Sequence, residues 1–205
     1  MKNPGKPVVK NVQETVLSEK KYLLTEVNYD YLTGDDQWEN QTKEIFNAGN
    51  AASVLLYNKA ARRIILTRQF RLASYLNGNN GGFLLETTAG KLEAGEGAEM
   101  SILREIKEET GYELTQVKKI FQAYASPGAY TELVHFFIAP YISEQQTGRG
   151  GGKAEEQEHI EILEVDFDEI YIKMLAGELQ DAKTIILLQY ARLHIFGQKQ
   201  SQAGT

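Results

Sequence analysis

The chain has 205 residues, 42% of them hydrophobic and 24% charged, enough for one sizeable core with a small accessory lobe. A net charge of −6 argues against nucleic acid or an anionic membrane as the main partner, yet leaves phosphate-bearing small molecules open. Without cysteine there are no disulfides, thiolate zinc sites or thiol nucleophiles, and with no leader-like or membrane-length apolar run the reading is a cytoplasmic protein.

Residues 1–10 and the tail 197–205 are polar or punctuated and are expected to fray. From Lys20 to Phe46, aromatic and polar residues alternate around the turn signal Thr33-Gly34-Asp35-Asp36, which predicts two or three antiparallel strands with one wet face. Tyr29, Tyr31 and Trp38 serve equally well there as sheet residues or as dimer contacts. Runs 51–58 and 63–71 read as strands joined by the polar turn 58–62. "NGNNGG" (77–82) is a turn-rich loop, and "FLLETTAG" (83–90) gives a short strand.

Ala98 to Thr110 has helical spacing and is closed by Gly111 at the position just past the helix end. "VKKIFQAYASPG" and "ELVHFFIAPYI" supply further strands. His135, in the second of these, reads as a satisfied core histidine, and three scattered histidines do not make a zinc site. Residues 147–159 form a Gly-rich, charged loop, expected to be mobile. A strand at 160–167 follows, and two helices begin at Asp166, the last being "TIILLQYARLHIF". The class is α/β or α+β, with helix–sheet–helix layering.

On a wheel of about 100° per residue, Ala98, Ile102, Leu103, Ile106 and Thr110 form one apolar arc, with Glu105 and Glu109 at its edge. Glu108 lies beside Arg104 and can pair with it across one turn. All three glutamates could be a solvated surface. Against this, like charges four apart repel, and these sit at the negative end of the helix dipole, where capping does not explain them. A hard divalent cation relieves that repulsion, because carboxylate oxygens are its preferred ligands.

The order Gly90, Glu96, then Arg104-Glu105-Ile106-Lys107-Glu108-Glu109-Thr110-Gly111-Tyr112 resembles the signature of the Nudix hydrolases. Further likeness, in Arg68-Gln69-Phe70-Arg71, the "NGN" loop and Asp181-Ala182-Lys183-Thr184, is to the ADP-ribose and nucleotide-sugar branch, nearest to bacterial GDP-mannose pyrophosphatases. The resemblance implies a Nudix α/β/α sandwich with a mixed sheet over 46–197, a small N-terminal antiparallel β lobe over 1–45, and a tail at 198–205. It implies Mg²⁺-dependent cleavage (Mn²⁺ as a substitute) of a pyrophosphate linkage, either GDP-mannose to GMP and mannose 1-phosphate or ADP-ribose to AMP and ribose 5-phosphate. A Nudix domain kept as a ligand-sensing module is the rival of another class, but such modules carry a DNA-binding extension and an eroded signature.

By the same resemblance Glu105, Glu109 and Glu158 are catalytic. Together with the carbonyl of Ala89 they hold the metal, and Glu108 is an auxiliary ligand. Glu158 matches the loop acid that serves as base, late ligand or both, whereas Glu155 and Glu156 read as loop solubilisers. Arg104 orients the glutamates, Glu96 braces the loop–helix–loop, Gly90 permits a tight turn beside the metal and Gly111 ends the helix. Substrate contacts are implied for Arg71, Ala89, Gly90, Lys91, Glu132, Gln157 and Lys183, with Tyr22, Lys43 and Glu44 taking the nucleobase. The N-terminal lobe is implied to be exchanged within a homodimer, with no nucleic-acid or membrane partner.

Overall fold

A computed structural model describes residues 8–197 except 154 and 156, so part of the expected frayed start, the tail 198–205 and Glu156 lie outside the described residues. It divides into two units, the first formed by residues up to 50 together with 124–133, and the second by 51–123 and 134 onward.

The first unit is a three-stranded antiparallel sheet of β1 (Val9–Glu19), β2 (Leu23–Leu32) and β3 (Trp38–Asn47), in that order. The turn between β2 and β3 is closed by Thr33 N–H donating to Gln37 O at 2.8 Å, with Asp36 at φ 60. Phe46 packs between Tyr22 and Tyr130, with ring centroids 5.1 and 5.0 Å apart. Val9 and Lys10, expected to fray, instead open β1, because pairing with Tyr31 and Asp30 supplies the order their own sequence lacks.

The second unit is built on a seven-stranded sheet. Its strands are β4 (Ala51–Asn58), β5 (Arg63–Phe70), β6 (Phe83–Glu86), β7 (Thr88–Lys91), β8 (Lys118–Tyr124), β9 (Leu133–Pro140) and β10 (Glu161–Asp166). The order is β10-β5-β4-β9-β8, with β6 on β5 and β7 on β4; β4 and β9 are parallel. Side chains on a strand alternate between faces, and both faces here are apolar. Leu55, Ile64, Leu66, Phe136 and Ile138 face α3 (Phe167–Leu175) and α4 (Ala182–Ala191), packing on Phe167, Ile170, Leu187 and Leu188. Ala52, Val54, Leu56, Ile65 and Phe137 face α2 (Ala98–Glu105), packing on Ile102 and Ile106. The result is the expected helix–sheet–helix sandwich with a mixed sheet.

Four local features depart from the expectation. A five-residue helix, α1 (Leu72–Leu76), follows β5 where only a connection was foreseen. The run 83–90 is two strands, since β6 pairs with β5 and β7 with β4, the chain crossing between them at Thr87. The helix begun at Ala98 is α-helical to Glu105 and then widens into a π turn over Ile106–Thr110, closed by Gly111 at φ 74. His135 is not fully satisfied: its Nδ1 is buried without a hydrogen-bond partner among the described residues, and burial, reinforced by Lys119, lowers its pKa.

Candidate active site

The opening of the π turn decides the environment of the two expected ligands. Glu109 is 5% exposed, and its Oε2 is buried with no hydrogen-bond partner among the described residues. Burial raises its pKa well above the usual carboxylate range, and the negative charges of Glu105 and Glu158 add to that rise. Glu105 is raised by burial too, against the opposing pull of Arg104. Of the two edge positions on the helical wheel, one is therefore interior.

Arg104 organises the remaining acids. Its Nη1 donates to Glu105 Oε1 at 2.8 Å and to Glu108 Oε2 at 3.0 Å, while Nε and Nη2 fork onto Glu96 at 3.3 and 3.1 Å. The hydrogen bonds to Glu96 are the largest cause of its raised pKa. Glu96 also accepts from Glu93 N–H at 3.2 Å, which fixes the loop before α2.

Gly90 brings β7 against this array. A Cβ built there would overlap the Glu105 carboxylate, so the Ala89–Gly90 peptide runs directly beside that side chain. Ala89 pairs with Ser53 of β4, and Lys91 O accepts from Ser101 Oγ at 3.2 Å.

The Gly-rich loop is docked rather than free over its middle. Gly151 N–H donates to Glu109 O at 2.8 Å and Gly152 N–H to Glu108 O at 3.1 Å. These are carbonyls at the end of a helix, which need outside donors. Lys153 Nζ pairs with Glu108 Oε2 at 3.0 Å, and its N–H donates to Glu158 Oε2 at 3.0 Å. Glu158 is thereby brought into the electrostatic surroundings of Glu109. Gln157 is exposed in the left-handed region at φ 57.

Two further cations of this unit were expected at the site. Arg71 is clamped by Glu86, and Lys183 pairs with Asp181 at 2.6 Å. Neither Glu86 nor Asp181 was given a role by the sequence reading, which quotes Asp181 only for its likeness to the family. Asp181 carried a signal, an acid directly before an apolar helical run, and it is indeed the N-cap of α4. Glu86 carried none. Tyr22, Lys43, Glu44 and Glu132 belong to the first unit: Lys43 and Glu44 lie opposite Val27 and Glu26 in the β2–β3 register, and Glu132 O accepts from Ala125 N–H at 3.1 Å.

Among the described residues no three acidic or histidine side chains converge as a ready-made cation cluster. The residues nonetheless fit one, because Glu109 Oε2 is a buried carboxylate oxygen with no donor among the described residues, the atom a hard cation would satisfy.

Comparison with known proteins identifies the family. Residues 48–188 match the NUDIX domain. The chain belongs to the Nudix hydrolase family. Residues 8–46 match the GDP-mannose pyrophosphatase NudK N-terminal domain. A GDP-mannose pyrophosphatase of Escherichia coli O1:K1 / APEC is 42% identical over 89% of this chain and 94% of its own. One from Shigella flexneri is 41% identical over the same shares. A crystal structure of an ADP compounds hydrolase superposes with a TM-score of 0.69 at 15% identity, covering 94% of this chain and 96% of that one, a likeness of fold. Nudix hydrolases generally use a divalent metal. No helix among the described residues is long and apolar enough to cross a membrane.

Proposed function

We propose that this Nudix hydrolase is a Mg²⁺-dependent nucleotide-sugar pyrophosphatase acting on GDP-mannose to give GMP and mannose 1-phosphate. The observation that carries the reading is the buried Glu109 carboxylate, with an oxygen lacking any partner, between the charges of Glu105 and Glu158. Relatives named GDP-mannose pyrophosphatase, similar over 89% of this chain, support the choice of substrate.

Glu105, Glu109, Glu158 and the Ala89 carbonyl would hold the cation, Mg²⁺ or in its place Mn²⁺, with Glu108 outside them. Bound there, it would neutralise phosphate charge and make a water molecule acidic enough to attack at neutral pH. Arg104 keeps Glu105 and Glu108 oriented. Glu158 takes the proton of the attacking water on its carboxylate. Arg71 and Lys183 meet the anionic oxygens of the linkage, and the backbone of Ala89, Gly90 and Lys91 with Gln157 lines their path. Glu132 accepts from a sugar hydroxyl, Tyr22 stacks on the base, and Lys43 and Glu44 bind its polar edge.

We read the first unit as a lobe exchanged within a cytoplasmic homodimer. The exposed Val9, Val12, Val16 and Leu17 of β1 support a partner surface there.

The test is chromatography of products from GDP-mannose, GDP-glucose, ADP-ribose and ADP-glucose with Mg²⁺. GDP-mannose should be cleaved with the highest kcat/KM. Faster cleavage of ADP-ribose would replace the substrate, and cleavage of none would sink the hydrolytic reading in favour of a sensing module.

A further inference from the structure

Arg71 and Lys183 come from opposite ends of the sequence, yet each is tied to a buried acid and the two acids are joined. Arg71 Nε donates to both oxygens of Glu86 at 3.0 and 3.2 Å, and Nη2 donates to Oε2 at 2.5 Å. Glu86 closes β6 and is 3% exposed. Lys183 Nζ donates to Asp181 Oδ1 at 2.6 Å, while Asp181 Oδ2 accepts from Thr184 N–H at 2.9 Å and Thr184 Oγ1 at 2.7 Å. One carboxylate thus caps α4 with one oxygen and holds Lys183 with the other. Thr184 Oγ1 in turn accepts from the N–H of Thr87, the residue after Glu86, at 2.8 Å. Ser53 Oγ, on the central strand β4, hydrogen-bonds Thr87 Oγ1 at 2.9 Å.

Stability alone is a poor reason for this arrangement. Buried carboxylates cost desolvation, and apolar replacements of a buried ion pair are often as stable. Glu86 also adds to the negative charge working against ionised Glu109, so it does not serve the acidic cluster directly. What it does serve is Arg71, whose guanidinium it holds in a three-bond clamp. The clamp takes the Nε and Nη2 edge of the guanidinium. It leaves Nη1 outside the pair and removes side-chain freedom that an anionic ligand would otherwise have to freeze.

We propose that Glu86 is a positioning residue that presets Arg71 for a phosphate oxygen, and that Asp181 does the same for Lys183, with Thr87 and Thr184 coupling the two. This rests on the reading above that Arg71 and Lys183 meet the phosphates of the nucleotide sugar. Neither acid touches substrate. Their effect is on binding, because a preset cation lowers the cost of association without altering the bond that breaks.

Steady-state kinetics of the full-length protein on GDP-mannose test it. E86Q keeps the volume and loses the charge, and D181N keeps a good helix cap. Each should raise KM about tenfold or more with kcat within about threefold, the signature of lost ground-state binding. R71K, which keeps the charge but cannot bridge Glu86, should match E86Q. R71A/E86Q should be no worse than R71A, since a positioning residue has nothing left to position. Side-chain ¹⁵N NMR of the wild type should show a slowly exchanging Arg71 Nε–H, assigned by its absence in R71K and lost in E86Q. An unchanged KM in E86Q, or losses that add to those of R71A, would overturn the proposal. So would a persistent Nε–H signal in E86Q. Failure of the wild type to cleave any nucleotide sugar sinks the substrate reading instead, and the NMR result stands apart from it.

Discussion

Gly90 and Glu105 touch: the α-carbon of one, on β7, lies so close to the carboxylate of the other, on α2, that no side chain fits between them. The atoms a Cβ would meet are the far end of Glu105, which can swing aside without moving backbone. Gly90→Ala should therefore leave the melting temperature nearly unchanged. Its kcat/KM should fall by about a hundredfold, the scale of a 1 Å misplacement of a reacting group. Thermal unfolding and kinetics measured on the same sample check this, and a variant with wild-type activity would show that Glu105 need not stand where it does.

Glu109 makes a prediction about stability and pH. Its folded pKa is raised, chiefly by burial and then by Glu105 and Glu158. The folded state therefore holds a proton that the unfolded state releases above its ordinary carboxylate pKa, and stability falls as pH rises from there through the folded value. Glu109→Gln, neutral at every pH, should raise the melting temperature in EDTA at pH 8, by about 2–4 °C for each kcal/mol relieved. The difference should vanish near pH 4, where both forms are neutral. The same variant should lose Mg²⁺-dependent turnover. A destabilised Glu109→Gln at pH 8 would mean that the carboxylate is satisfied by the protein itself.

How far the sequence could be read depended on the range of the interaction. The α2 helix, its Gly111 terminator, the Arg104–Glu108 pair, the alternating strands of the N-terminal lobe and the β-rich runs of the sandwich were all legible, because each follows from residues close together in sequence. The π turn was not, and with it went the burial of Glu109, since the wheel assumed uniform α geometry to Thr110. The break at Thr87 was hidden because 83–90 is uniformly strand-like and only its partners, β5 and β4, divide it. The clamp on Arg71 joins the residue just past β5 to Glu86 at the end of β6, a relationship that no local pattern encodes. The Gly-rich loop was expected to be mobile on composition alone. Its docking depends on Glu108 and Glu109 carbonyls that become available only where the helix ends.

Glu158 and Glu108 can be separated by kinetics. Glu158 is held by one backbone donor from Lys153, while Glu108 is engaged by both Arg104 and Lys153. A group that takes a proton needs a free lone pair, and one already carrying two cationic partners is poorly placed for it. Glu158→Gln should lower kcat by about 10²–10⁴, the usual contribution of a general base. Glu108→Gln should lower it by less than about tenfold and shift mainly the Mg²⁺ dependence, as for an outer ligand. A loss of less than tenfold in Glu158→Gln places the base elsewhere.

The docking of the loop is testable at Gly150. The residue sits at φ 61, and a Cβ there would stand 2.5 Å from Glu109 O and 2.6 Å from the Thr110 carbonyl carbon. Both are backbone atoms of the π turn and cannot swing away as a side-chain tip can. Gly150→Ala should therefore lift the loop, breaking the Gly151 and Gly152 hydrogen bonds to Glu109 and Glu108 and carrying Glu158 away from Glu109. Hydrogen exchange should rise at Gly151 and Gly152 but stay slow in β4 and β9, which pair with each other at the centre of the sheet. Turnover should fall with the Glu158→Gln variant, and adding Glu158→Gln to Gly150→Ala should cost little more. Retained protection at Gly151 and Gly152 would show that the turn yields to the methyl group, and full activity with lost protection would show that Glu158 acts without the docked loop.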